Sequence, residues 1–122
     1  MIKVQVSFPP SVNKTHGGHN WRSRSSQKSQ YHETVALDMH CAGYNEKPLT
    51  GRLEVTVILH ARNRRAYDIQ NYQKCLLDAL NGYVWEDDGQ IDRLIIERGT
   101  PRKPAAAIVI AREIGKQCVD EE

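Results

Sequence analysis

Between residues 68 and 88 the chain carries Asp68, Gln70, Asn71, Lys74, Asp78, Asp87 and Asp88, a set of oxygen donors gathered around one ammonium group. Hydrolysis of a phosphodiester calls for that mixture. Mg²⁺ held by carboxylate and amide oxygens activates water and offsets charge on the departing oxygen. Hard cations prefer oxygen ligands, which favours Asp, Glu, Asn and Gln. A nearby lysine can contact the scissile phosphate or stabilise the transition-state charge. Each residue also has a structural reading. Asp68 suits a helix N-cap, with Asn71 a poor substitute for a capping-box glutamate. Asp87-Asp88-Gly89 suits a turn, and Lys74 with Asp78 suits an exposed i, i+4 ion pair.

These residues need elements to position them. At about 100° per residue, a helix over residues 68–81 puts Ile69, Tyr72, Cys75, Leu76, Ala79 and Leu80 on a buried side. Gln70, Asn71, Lys74, Asp78 and Asn81 fall on the other side, with Gln70, Lys74 and Asp78 in a row. Asp68 stands at the helix entrance, beside the positive dipole end, and Gly82 stops the helix. The rest of the chain supplies a frame. Ile2, Val4, Val6 and Phe8 alternate as a strand over 2–8, ended by "PPS" at 9–11. Residues 12–25, rich in Gly, His, Ser and Arg, read as a long loop. Residues 26–42 have Tyr31, Val35, Met39 and Ala42 at helical spacing, with Gly43 as the stop. Strands follow over 51–61, 90–98 and 105–112, the last two joined by "GTPRKP". The order β-α-β-α-β-β predicts an α+β fold: one mixed, mainly antiparallel sheet packed by two helices. Residues 1–113 form the single domain and 114–122 a flexible acidic tail.

The 122 residues carry a formal charge of +2. Asp120, Glu121 and Glu122 mask a stronger bias, because residues 1–119 hold 17 basic against 15 − 3 = 12 acidic groups. Lys14, Arg22, Arg24 and Lys28 lie in a stretch (13–30) without any acid, and Arg62, Arg64 and Arg65 directly precede Asp68. A basic stretch abutting an acidic one can hold a polyanion and a cation together; the alternative is solvated surface. Cys41, Cys75 and Cys118 are far apart, which suggests free thiols in the cytoplasm. No apolar run is long enough for a membrane span. His16 and His19 in "HGGH" lack further partners for a zinc site. Trp21 and Tyr31 could stack on bases or simply pack.

The segment "RRAYDIQNYQKCLLDALNGYVWEDDGQIDR" resembles the core of the RusA family of Holliday junction resolvases. The matching positions are Asp68, Asn71, Lys74, Asp78-Ala79-Leu80, Gly82, Trp85 and Asp87-Asp88, and "FPPSVNK" is similar to the family's amino-terminal motif. The resemblance implies a homodimeric, Mg²⁺-dependent endonuclease that resolves DNA four-way junctions by paired nicks, with no nucleotide cofactor. It implies that Asp68, Lys74 and Asp88 are catalytic and that Asp68, Gln70 and Asp88 hold the metal. Asn13, Lys14, Arg22, Arg24, Lys28, Arg62, Arg64, Arg65 and Asn71 would then contact DNA. A two-fold dimer also matches the approximate symmetry of a four-way junction. Gln70 departs from the family pattern, which has an acid there. The charge lost predicts weaker metal affinity, compensated by Glu86, Asp87 or Asp92, or else a junction-binding module that has lost catalysis.

Overall fold

A computed structural model describes residues 1–10, 21–64 and 67–114, with backbone alone over 21–27. The expectations for Asn13, Lys14, His16, His19, Arg65, Cys118 and residues 115–122 lie outside the described residues, as do those for the side chains of Trp21, Arg22 and Arg24.

The chain runs β1 (Ile2–Ser7), α1 (Trp21–Cys41), β2 (Leu53–His60), α2 (Gln73–Ala79), β3 (Ile91–Arg98) and β4 (Ala106–Glu113). The strands form one sheet in the order β1-β4-β2-β3. β4 is antiparallel to both β1 and β2, whereas β2 and β3 are parallel. The fold is therefore the expected α+β arrangement with a mixed sheet. Parallel neighbours need a crossover, and α2 lies in the one joining β2 to β3. Although β3 and β4 are consecutive, β2 lies between them. The "GTPRKP" segment thus passes across the end of β2 instead of closing a hairpin.

Alternation decides which sheet face is buried. Val4, Val109 and Val57 are partners across three strands, as are Val6, Ala107 and Leu59. All are buried, together with Val35 and Met39 of α1 and Leu76 and Leu80 of α2. Each fully buried Val or Leu contributes roughly 1.5–3 kcal/mol. Two bonds fasten α1 to the end of β1: the Asp38 carboxylate accepts from Ser7 N (2.8 Å) and the Tyr31 hydroxyl donates to Ser7 O (2.8 Å). Tyr31 is only 5% exposed, so it packs in the core and does not stack on bases. Burial pushes its phenol far above the ordinary range.

Both helices differ from their sequence-based bounds. α1 begins at Trp21, so residues 21–25 are helical rather than loop. "WRSRS" has no apolar periodicity to reveal a helix, yet it has no Gly or Pro to prevent one. At its other end Gly43 takes φ 71°, and Tyr44 N donates to Met39 O (3.0 Å), the pairing of a Schellman stop. The expected helix over 68–81 is interrupted. Ile69–Asn71 form a 3₁₀ turn, Tyr72 sits at φ −109°, and α2 proper covers only Gln73–Ala79. A ring cluster accompanies the break: Tyr72 lies 5.1 Å from Phe8 and 5.6 Å from Tyr67, centroid to centroid. Seating Tyr67 and Tyr72 against the same Phe8 competes with a straight helical path between them. Gln70 therefore belongs to the turn, and the row it was expected to share with Lys74 and Asp78 is broken.

Candidate active site

Asp88 opens a second 3₁₀ turn, Asp88–Gln90, immediately before β3. The Asp87 carboxylate caps this turn by accepting from Gly89 N (2.9 Å). The Gln90 carboxamide oxygen accepts from Glu86 N and Asp87 N, and its nitrogen donates to Leu49 O and Gly51 O, all at 2.9 Å. Trp85, wholly buried, donates its indole N–H to Asn81 Oδ1 (2.7 Å). The turn is thereby tied to the end of α2 and to the segment before β2. Asp92 pairs with Arg52, which holds its carboxyl below the ordinary range. Asp87 and Asp92 thus each have a structural partner.

Asp88 is different. Burial, the charges of Asp78 and Asp87, and a side-chain hydrogen bond with Asp78 all push its carboxyl up, while Lys74 pulls it down. Two carboxylates close enough to share a hydrogen bond repel when both are ionised. A positive charge beside them relieves that repulsion, and lysines partly supply one. Asp78 lies 3.8 Å from Lys74 Nζ and 3.5 Å from Lys28 Nζ. Lys74 is 74% exposed along its side chain, so these bonds guide the ammonium without burying it. Exposed pairs of this kind add only about 0–1 kcal/mol; their contribution is placement.

Of the three residues expected to be catalytic, Lys74 and Asp88 come together around Asp78. Asp68 lies where the chain enters the β2–β3 crossover and is not among the charges acting on Asp88. It stands at the N-cap position of the 3₁₀ turn, but its carboxylate makes no capping hydrogen bond. Gln70 is exposed and Asn71 half-buried. Arg62 and Arg64 are exposed, whereas Lys28 projects from α1 onto Asp78. Among the described residues no three His, Cys, Asp or Glu side chains form a metal-holding group. Sequence reasoning counted Asp78 as part of a motif and an i, i+4 pair, and missed that it faces Asp88. The spacing to Lys74 was visible; the contact across the turn was not.

The family model for Endodeoxyribonuclease RusA matches residues 3–111. The chain belongs to the RusA endodeoxyribonuclease family. No curated protein matches it. The RusA match takes in the whole Asp68–Asp88 segment, and the family implies an endonuclease that resolves Holliday junctions. Among the described residues no helix is long and apolar enough to cross a membrane.

Proposed function

We propose that this RusA-family chain is a Mg²⁺-dependent endonuclease cutting four-way DNA junctions by paired symmetric nicks, with Asp88, Lys74 and Asp68 as its catalytic residues. The observation that carries it is the Asp88–Asp78 pair beside Lys74 and Lys28, within a chain of this family. The donors suit a hard cation: they are oxygens, and Mg²⁺ commonly needs only one or two carboxylates, completing its shell with water and substrate phosphate. Asp68, Gln70 and Asp88 would hold the ion, which would activate water and neutralise developing charge. Lys74 then meets the phosphate, positioned by Asp78. Asn13, Lys14, Arg22, Arg24, Lys28, Arg62, Arg64, Arg65 and Asn71 follow the DNA backbone. Residues 1–113 serve as one nuclease unit, acting in the cytoplasm, where Cys41 and Cys75 stay as free thiols.

A two-fold dimer belongs to this reading. The sheet face turned away from the helices carries Ile58, Ile95, Ile108 and Ile110, each partly exposed. Lys3 on β1 and Glu97 on β3 flank it at opposite edges, both exposed. A two-fold axis along the strands lays β1 over β3 of a second copy, bringing Lys3 toward Glu97 of the partner subunit. The patch is self-complementary in that sense, as an isologous interface requires.

Gln70 favours one alternative, a junction binder with weakened catalysis, because a neutral amide stands where the family pattern has an acid. Incubating the protein with a synthetic four-way junction, with and without Mg²⁺, separates the two. Metal-dependent nicks support the nuclease; tight binding with no cutting at any Mg²⁺ concentration supports the binder.

A further inference from the structure

We propose that a cavity at the β3–β4 connection seats one backbone phosphate of the bound DNA, with Arg98 as the positioning residue. This rests on the nuclease reading for its ligand and concerns a site apart from Asp88. The cavity, about 380 Å³, is lined by Asn63, Arg64, Tyr67, Arg98 and Thr100 among others, with no carboxylate. Among the described residues, neither guanidinium has an ion-pair partner. Two uncompensated guanidiniums in one concavity favour an anion.

Arg98 is held ready for it. Its Nη1 donates to Tyr67 O (3.0 Å), and its guanidinium carbon lies 4.4 Å from the centre of the Tyr67 ring. One face and one edge are fixed, so little rotamer freedom remains to be lost when the other donors meet a phosphate. The backbone that follows Arg98 is equally constrained. Gly99 N donates to Leu59 O and Arg102 N to Ala61 O, each at 2.8 Å. Buried His60 donates from Nδ1 to Thr100 O (2.8 Å). A Cβ on residue 99 would come within 2.5 Å of the His60 ring, so glycine lets the two pack. Tyr67 immediately precedes Asp68, which links the cavity to the catalytic segment through the chain itself.

The test measures junction binding without metal, so it does not depend on cleavage. Arg98→Ala should weaken binding about ten-fold, as expected for a charge-assisted bond, and reduce the salt slope by about one. Arg98→Lys should recover only part, because the planar fork is lost. Arg64→Ala, which leaves the Tyr67 contacts intact, should also weaken binding, and near-UV circular dichroism should report a native fold for all three. Junctions with single methylphosphonates then locate the contact. Neutralising one phosphate should penalise the parent protein yet add nothing to Arg98→Ala. Unchanged affinity in Arg98→Ala overturns the proposal, as do penalties that add at every phosphate or a parent protein that does not bind junctions. A phosphate-induced thermal shift that requires Arg98, with no Arg98 effect on DNA, would make it a free-anion site and also overturn it. A parent that binds but never cuts refutes the nuclease reading alone.

Discussion

At the scale of single residues, Asp88 concentrates the conflict between stability and chemistry. Burial and neighbouring carboxylates raise its pKa, so the folded protein holds that proton more tightly than the unfolded chain does. Stability therefore falls as pH rises from the ordinary carboxylate pKa through the raised one. Asp88→Asn should raise the thermal midpoint near neutral pH, and the gain should vanish below about pH 4, where Asp88 is protonated in both states. A midpoint that drops at neutral pH would contradict this origin for the shift. Gln70 offers a second test. An acid is a better ligand for Mg²⁺ than a neutral amide, so Gln70→Asp should cleave at lower metal concentration than the parent, and Gln70→Ala should need more. Coincident Mg²⁺ titrations would put position 70 outside the metal shell. Residue types and spacing were enough to read Lys74 and Asp88 from the sequence. Asp78 was legible only as a partner of Lys74, because its approach to Asp88 depends on a turn ten residues on, built by Gln90 and Trp85.

At the scale of elements, that turn owes its shape to Gln90. Its carboxamide makes four hydrogen bonds to backbone groups, two as acceptor and two as donor. Truncation leaves those groups to find water, at about 1–3 kcal/mol for a buried polar group left unpaired. Gln90→Ala should lower unfolding free energy in urea by roughly that amount, and cleavage at saturating Mg²⁺ should fall further than the unfolded fraction explains. A full rate from the folded variant would mean Asp88 does not need the turn. β1 and β2 were readable because period-two alternation survives in them, whereas β3, with Leu94, Ile95 and Ile96 all partly buried in succession, keeps none. Helix bounds were less so. Tyr67, Tyr72 and Phe8 meet across the fold, a tertiary contact that overrides the uniform helical spacing of Ile69 to Leu80, and no local pattern announces it. The order β1-β4-β2-β3 was equally hidden, since adjacency in sequence suggested β3 beside β4.

At the scale of the whole molecule, one sheet face is covered by two helices and the other is left with four partly exposed isoleucines between Lys3 and Glu97. If a second copy covers that face, Ile108→Lys should shift the protein from dimer to monomer in sedimentation equilibrium at micromolar concentration, with its circular dichroism unchanged. An undisturbed dimer would move the interface elsewhere. Under the proposed function, paired cutting would use that assembly and two Asp88 centres. The most direct measurement labels each strand of a four-way junction in turn and maps Mg²⁺-dependent nicks for the parent protein and Asp88→Asn, with binding measured alongside. Symmetric nicks in two opposed strands are expected for the parent, and undiminished binding without nicks for Asp88→Asn. Nicks that persist in Asp88→Asn, or binding lost together with cutting, would contradict the catalytic role of Asp88.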